Sequence, residues 1–189
     1  MHVFHLVERV LARSHTLSPL SPGGILRYEI APLPVPAIGP RGGELIRRGA
    51  QCVILHFDNP TLTALSADEP DVRRLTWQLT RLCGQDLEVL ARLARQGVIP
   101  DGIQAIWAET LVYQALRRYG FATRFAMPSL RTPFARLFML AMLAIHGRPR
   151  HLAKGGRALD HLRLGEAWIS IEALMERFPA PDSRARELG

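Results

Sequence analysis

The hydrophobic pattern has a strand period in the first third of the chain. Residues 25–32, ILRYEIAP, alternate apolar and polar side chains, and residues 51–57, QCVILHF, form the strongest apolar run. Both patterns are typical of β-strands. Between them, prolines and glycines break residues 33–50 into a meander with a short strand at 44–46. Upstream, apolar side chains at helical spacing predict a short amphipathic helix over residues 2–13.

From Pro60 onward the period becomes helical. It predicts a short helix that starts at Pro60 and a long helix over residues 71–97, which Gly97 ends. The segments GIQAIWA, ETLVYQALRRY and FATRFAM then predict a strand, a helix with Gly120 as its left-handed C-cap, and a second strand. The last pair is the strand EAWIS and the helix IEALMERF, with Ser170 as the N-cap.

This order of elements predicts the fold class. A strand, a helix and a strand in close succession favour a parallel crossover, in which helices cover the face of a sheet. We therefore expect a single α/β domain over residues 1–178, with a mixed central sheet of about five or six strands covered by helices. Residues 179–189 are predicted to be a loose C-terminal tail.

A strongly apolar helix is predicted between Pro133 and His146, where Arg136 is the one charged residue. It is too short to cross a bilayer, which needs about 20 apolar residues. A helix buried in the core is the simpler interpretation. The alternative is an interfacial helix that dips into a membrane while nearby arginines contact acidic head groups. The arginines concerned are Arg131, Arg136, Arg148 and Arg150.

The chain is strongly basic. Its 189 residues carry a formal net charge of +7, and its pI is about 10.6. Such a charge favours an anionic partner, either nucleic acid or an acidic membrane surface, and it also keeps proteins soluble. Nucleic acid has the weaker support, because Trp77, Trp107 and Trp168 lie within helix and strand patterns and are predicted to be core residues.

The cysteines and the first residues predict the compartment. Cys52 and Cys83 are the only cysteines, which makes neither a disulfide framework nor a metal-binding knuckle and fits a reducing compartment. Glu8 and Arg9 interrupt the apolar stretch that a secretory signal would need. We expect a cytoplasmic protein, peripheral on the inner membrane face if residues 133–146 are interfacial.

The cluster HFDN, at the end of the strongest strand, is the first candidate site. His56 and Asp58 point to the same side of a strand, at the end where open α/β sheets often place ligand contacts. His56 and Asp58 are therefore candidate catalytic residues, and Asn59 is a candidate ligand-binding residue. A structural interpretation stays open as well. In that case Asn59 caps the helix that Pro60 begins, Asp58 shares this role, and His56 makes a structural hydrogen bond.

A second cluster follows the strand GIQAIWA. Glu109 is a candidate catalytic residue there, and Thr110 and Tyr113 are candidate ligand-binding residues. The structural alternative is a first-turn acid that opposes the helix dipole, next to a capping hydroxyl. If the two strands are parallel neighbours, Glu109 would converge with His56 and Asp58 on one cleft.

The chain lacks the sequence signatures of several enzyme classes. It has no HExxH or CxxC motif for a metal, and no GxSxG, GxxxxGK[ST] or GxGxxG motif. We therefore expect neither a metal nor a cofactor.

Five segments together resemble the bacterial YkoP-like domain family. In order they are GGILRYEIAPLP, IRRGAQCVILHFDNPTL, RRLTWQLTRL, AIWAETLVYQALRRYGF and AWISIEALMERF. The most specific part is the strand that ends in histidine, an acidic or small residue, and asparagine, here His56, Asp58 and Asn59. Ala50 departs from the family pattern, which has an acidic residue there. The family occurs as small free-standing proteins and fused to polysaccharide deacetylases, so the resemblance implies a link with cell-envelope glycans or lipids.

The latter strands also show a fainter similarity to the GNAT acyltransferase fold. The shared features are a helix that ends in ALRRYGF and the strand after it. In that comparison Glu109 takes a substrate-side position at the end of its strand. The acyl-CoA pyrophosphate loop of that family has two spaced glycines, whereas DNPTLTAL, which follows residues 51–57, has none.

The leading prediction is an accessory or ligand-binding domain of bacterial cell-envelope polysaccharide or lipid metabolism. Its expected partners are an envelope glycan or lipid and an anionic membrane surface. The first alternative is a GNAT-like acyltransferase in which Glu109 or His56 acts as general base. The second alternative is a nucleic-acid-binding protein. Both a binding role and a catalytic role stay open at this point.

Overall fold

The computed structural model describes residues 17–35, 37–39, 46–69, 71–110, 113–126 and 165–180. The strands in these ranges are β1 (Ser18–Pro19), β2 (Leu26–Pro32), β3 (Ala37–Ile38), β4 (Ile46–Arg47), β5 (Gln51–Phe57), β6 (Ala105–Thr110), β7 (Ala122–Phe125) and β8 (Gly165–Ser170). The helices are α1 (Asn59–Asp68), α2 (Val72–Arg95), α3 (Tyr113–Leu116) and α4 (Ile171–Arg177), and a 3-10 turn (Arg117–Tyr119) follows α3.

Six of these strands form one mixed sheet in the order β1-β2-β5-β6-β8-β7. The neighbours β5 and β6 are parallel, and every other neighbouring pair is antiparallel. The chain between the parallel strands contains α1 and α2. Because β5 and β6 run the same way, their C-terminal ends lie at the same edge of the sheet, which is where both candidate clusters were predicted.

One face of the sheet packs against the helices and forms the larger core. Val53 and Leu55 of β5 and Ile106 of β6 cluster with Leu87 and Leu90 of α2. These side chains are all at most 4 % exposed. Burial of one such side chain stabilises a fold by roughly 1.5–3 kcal/mol, so this face carries most of the packing that holds α2 on the sheet.

The opposite face carries a smaller core under the two-stranded sheet of β3 and β4. Its buried members are Leu33, Ile46, Cys52, Ile54, Ala105, Trp107 and Trp168. The indole Nε1 of Trp168 donates a hydrogen bond to the carbonyl oxygen of Gly39 at 3.2 Å. Beyond this core, toward the C-terminal end of β5, the same face carries charged side chains.

Most of the predicted elements are confirmed. The strands at 25–32 and 51–57 correspond to β2 and β5, and the helix at 71–97 corresponds to α2. Gly120 is the left-handed cap, with φ of 89°. The Ser170 hydroxyl accepts a hydrogen bond from the Ala173 backbone N–H at 3.1 Å and caps α4. The fold class, an α/β domain with a mixed sheet, is confirmed as well.

Two predictions about the segment after residue 105 were imprecise. The helix predicted from Glu109 begins at Tyr113, because β6 continues through Glu109 and Thr110. β6 and β7 are both antiparallel to β8 and therefore parallel to each other, but β8 lies between them. Local periodicity does not reveal such an insertion, because β8 comes from much later in the chain.

The prediction that all three tryptophans are core residues is wrong for Trp77. Trp107 and Trp168 are 5 % and 8 % exposed, whereas Trp77 is 67 % exposed. In the helical order of α2, Trp77 shares its side with the exposed Arg74 and Arg81 rather than with the buried Leu87.

Several predicted features lie outside the described residues. They are the helices at 2–13 and 133–146, the arginines proposed to meet a membrane (Arg131, Arg136, Arg148 and Arg150), and residues 181–189. Among the helices that the structure does describe, none has the length and apolar character to cross a bilayer.

Candidate functional site

His56 lies on the sheet face that carries the smaller core. Alternation along β5 places Cys52, Ile54 and His56 on this face, while Val53 and Leu55 enter the helix-side core. His56 is two residues past Ile54, so it lies where the apolar packing ends. Its side chain is 37 % exposed.

Glu29 of the neighbouring strand β2 is the partner of His56. The imidazole Nε2 donates a hydrogen bond to Glu29 Oε1 at 2.9 Å. Glu29 lies opposite Ile54 in the register, so it reaches His56 diagonally. The Glu29 side chain is only 13 % exposed, so a shielded carboxylate orients a more accessible imidazole.

Arg27 and Asp58 form a second ion pair beside this one. Arg27 lies opposite His56 in the register, and its Nε donates to Asp58 Oδ1 at 2.8 Å. The Thr61 hydroxyl donates to the other carboxylate oxygen at 2.5 Å. The Arg27 and Asp58 side chains are 38 % and 12 % exposed. Both oxygens of Asp58 therefore have a partner, and Arg27 joins the end of β5 to β2.

The predicted helix cap is displaced by one residue. Asp58, rather than Asn59, is the N-cap of α1, and Asn59 is the first helical residue, with Pro60 next to it. The Asp58 side chain makes no capping hydrogen bond to the backbone, because its oxygens bind Arg27 and Thr61 instead. The helix start therefore does not account for this carboxylate.

Glu109 lies on the strand next to His56. The register of β5 and β6 has Leu55 opposite Ala108, and its continuation by one residue brings Glu109 beside His56 on the same face. β5 and β6 are thus the parallel neighbours that this convergence requires. Glu109 is half-buried and lies opposite Glu166 of β8.

Glu166 is buried and paired with Arg124. Its side chain is 2 % exposed, and Arg124 Nε donates to Glu166 Oε2 at 2.8 Å. Arg124 Nη2 lies 2.7 Å from the same oxygen as an ion-pair contact, without the geometry of a second hydrogen bond. The Arg124 guanidinium carbon also lies 5.1 Å from the centroid of the Trp168 ring, within cation–π range.

These residues lie side by side across the sheet in the strand register, and we call them the charged row. It consists of one residue from each of five neighbouring strands: Arg27, His56, Glu109, Glu166 and Arg124. With the partners Glu29 and Asp58, the row holds four carboxylates, two guanidinium groups and one imidazole. Like charges opposite each other in a sheet are destabilising, as Glu109 and Glu166 are here. Arg124 compensates the charge of Glu166, and this gathering of charged side chains makes the row a candidate site.

The other predicted site residues lie away from the row. Thr110 is 4 % exposed, lies opposite Gly165, and by alternation points to the helix side of the sheet. Tyr113 is buried in the helix-side core, closely packed on Gly165, with its ring centroid 6.1 Å from that of Phe125. The structure thus brings Glu109 to His56 but leaves Thr110 and Tyr113 on the other side.

A cleft of about 310 Å³ opens beside the Arg27–Asp58 pair. Its remaining wall is the turn between β1 and β2, and its lining residues are Pro19, Leu20, Ser21, Pro22, Gly23, Gly24, Leu26, Arg27, Asp58 and Thr61. Ligand pockets in proteins have volumes of roughly 300–1,000 Å³, so this cleft has room for a small polar ligand.

A buried carboxylate on α2 holds the wall of this cleft. Asp86 is fully buried, and its Oδ2 accepts hydrogen bonds from the backbone N–H groups of Ile25 and Leu26, both at 2.8 Å. The Ser21 hydroxyl donates to Asp86 Oδ1 at 2.5 Å. A Cβ atom at Gly24 would collide with this carboxylate. Only glycine therefore fits at this close approach.

The two cysteines are structural. Burial, followed by the nearby charge of Asp86, raises the pKa of Cys83 to about 12. Burial also raises the pKa of Cys52. Neither thiol ionises at neutral pH, so neither has the reactivity of a catalytic cysteine. Within the described ranges, His, Cys, Asp and Glu side chains form no group of three that could hold a metal ion.

Several residues of this region were not predicted from the sequence. Arg27 and Glu29 were only the polar positions of an alternating strand, and no local signal shows that their strand neighbours β5. Asp86 did carry a signal. It lies three residues after Cys83 and four before Leu90, on the buried stripe of α2, where an acid needs partners.

The comparisons with known proteins identify one relationship. The family model described as YkoP domain matches residues 1–178. No curated protein and no solved structure matches the chain.

Proposed function

The chain belongs to the YkoP domain family, and from this premise we propose that it is a ligand-binding domain of bacterial cell-envelope polysaccharide metabolism. The observation that carries the proposal is the Arg27–Asp58 pair at the wall of the cleft, next to the His56–Glu29 pair. The resemblance to domains fused to polysaccharide deacetylases supplies the class of ligand.

The charges of the site favour a hydroxyl-rich ligand over a phosphorylated one. Arg27 is already neutralised by Asp58, and the charged row with its partners has more carboxylates than guanidinium groups. Carboxylates accept hydrogen bonds from sugar hydroxyls, and a guanidinium group donates to them. A lipid phosphate would instead lie near the carboxylates of Glu29 and Glu109. Among the described residues of the row, both guanidinium groups are already paired with a carboxylate.

Binding of chitotetraose, a neutral oligomer of N-acetylglucosamine, tests this proposal by titration calorimetry. We expect Arg27→Ala and Asp58→Asn each to weaken binding by about tenfold or more, because each removes a charge-assisted hydrogen bond worth roughly 1.5–3 kcal/mol. Arg92→Ala is the matched control, since Arg92 is exposed on α2, on the other side of the sheet. Absence of binding at millimolar sugar, or equal affinity for Arg27→Ala and the natural chain, would contradict the proposal.

A second candidate function is acyl transfer to a hydroxyl group or amine, and the His56–Glu29 pair favours it. A carboxylate that holds one imidazole nitrogen leaves the other nitrogen, here Nδ1, to take a proton from an attacking hydroxyl. Glu109 on the next strand lies close enough in the register to stabilise the imidazolium that forms.

Mass spectrometry of chitotetraose incubated with an activated acyl ester, p-nitrophenyl acetate, tests this second function. We expect acylated sugar from the natural chain, and a loss of at least about a hundredfold in rate with His56→Gln, because general bases contribute roughly 10²–10⁴-fold. Binding of chitotetraose without any acylated product would leave the binding function and refute the catalytic one.

A further inference from the structure

An aromatic and basic surface on α2 is independent of the site described above. We call Arg74, Trp77 and Arg81 the Trp77 face, since they lie three and four residues apart on one side of the helix. All three are exposed, and Trp77 is 67 % exposed. The guanidinium carbon of Arg81 lies 5.7 Å from the centroid of the Trp77 ring. A tryptophan this exposed contributes little to the core, and its ring is accessible to a partner together with the two flanking arginines.

Along the start of α2, the charged residues near Trp77 are all basic. From Val72 to Gln85 the helix has three arginines and no acidic residue. Asp71, just before this stretch, accepts a hydrogen bond from the Arg74 backbone N–H at 3.4 Å at the start of the helix. Glu88 is the next exposed acid along the same side, two turns beyond Arg81. The surface is therefore complementary to an anionic partner.

We propose that the Trp77 face docks the protein on an anionic membrane surface. The amphipathic ring of tryptophan favours the head-group level of a bilayer, and flanking arginines attract acidic lipids. Each basic residue near such a surface contributes about fivefold in affinity. Buried residues such as Leu87 and Leu90 hold the following part of α2 on the sheet and leave this face on its outer side.

Nucleic acid fits the same charge less well. Sites for single-stranded nucleic acid stack successive bases on several aromatic side chains. In the Trp77 face there is one aromatic ring, and Arg81 already lies over it. A lone, arginine-covered tryptophan on a helix matches a head-group layer better than a chain of stacked bases.

Co-sedimentation of the full chain with vesicles tests the proposal. We expect binding to phosphatidylcholine vesicles that contain phosphatidylglycerol, weak or no binding to pure phosphatidylcholine, and loss of binding at high salt. Arg74→Ala and Arg81→Ala should each weaken binding about fivefold. Trp77→Ala should weaken it by a similar factor. Arg48→Ala is the control, because Arg48 is exposed in the turn between β4 and β5, away from α2, and we expect no change.

Three results would overturn the proposal. The first is no binding to the anionic vesicles even at low salt, and the second is vesicle binding that Trp77→Ala and Arg81→Ala leave unchanged. The third is tighter binding to a single-stranded oligothymidylate, weakened by Trp77→Ala, since this would assign the face to nucleic acid. Thermal unfolding of each variant, followed by circular dichroism, verifies that these surface substitutions leave the fold intact. The chitotetraose experiment is unaffected by any of these outcomes.

Discussion

Carboxylates lie near β2 on both faces of the sheet, and the two faces differ in how far the partners of these carboxylates are exposed to water. Asp86, on the helix side of the sheet, is fully buried and accepts three hydrogen bonds from residues 21–26. On the other face, the His56–Glu29 and Arg27–Asp58 pairs each combine a shielded carboxylate with a partner that is more than a third exposed.

The difference distinguishes a carboxylate that holds the fold from the carboxylates of the candidate site. A buried carboxylate with every partner supplied by the chain fixes a turn, because leaving those N–H groups unpaired would cost the full desolvation penalty. A shielded carboxylate that orients an accessible imidazole or guanidinium group keeps one side of the pair available to a ligand. Asp86 also supports the candidate site, because the turn that it holds forms the wall of the cleft beside Asp58.

Removal of the buried carboxylate should have the largest effect on stability. Asp86→Ala leaves the N–H groups of Ile25 and Leu26 and the Ser21 hydroxyl without their acceptor, so we expect a loss of about 3 kcal/mol or more. The free energy of unfolding in urea measures this loss. Glu88→Ala, at an exposed position of the same helix, should stay within about 0.5 kcal/mol. Similar stabilities for the two variants would show that Asp86 is not the anchor.

Gly24→Ala tests the same anchor from the side of the turn. The new Cβ would collide with the Asp86 carboxylate, so the turn or the carboxylate must shift, at a cost of about 1–3 kcal/mol. The new Cβ would also collide with the Ser21 hydroxyl, so the cost should largely vanish in a background that carries both Asp86→Ala and Ser21→Ala. Equal costs of Gly24→Ala in both backgrounds would mean that another contact constrains Gly24.

Alkaline pH should weaken the helix-side core. Burial and the Asp86 charge raise the pKa of Cys83 from 9.0 to about 12. Above pH 9 the unfolded chain releases this proton while the folded chain keeps it, so the free energy of unfolding falls as pH rises from about 9 toward about 12. Urea unfolding at a series of pH values measures this fall. Cys83→Ala should flatten the decline, and a decline of unchanged slope in that variant would contradict the assignment.

The charged pairs on the other face should contribute the least to stability. Arg27→Ala and Glu29→Gln break pairs that are partly exposed, so we expect changes of about 1 kcal/mol or less in the free energy of unfolding. The same Arg27→Ala variant should lose binding of chitotetraose. A large loss of stability instead would place Arg27 with Asp86 among the residues that hold the fold.

The same contrast explains what the sequence could predict. The apolar run of β5 and the amphipathic pattern of α2 depend on local spacing, so both were predicted. The strands of His56 and Glu109 were assumed to be parallel neighbours, and the register confirms this, but neither residue lines the cleft beside Asp58.

The partners of these residues were not predictable from local patterns. Glu29, Glu166 and Arg124 reach the site through antiparallel pairings between segments far apart in the chain. The exposure of Trp77 depends on which side of α2 faces the sheet, and its aromatic character suggested the wrong side.

The most direct test of the binding site is a two-dimensional ¹H–¹⁵N NMR titration of the full chain with chitotetraose. We predict that the largest changes in backbone chemical shift belong to Arg27, His56, Asp58 and Thr61, with little change along α2. Shifts confined to α2 around Trp77, or no shifts at millimolar sugar, would contradict the assignment of ligand binding to the cleft and the charged row.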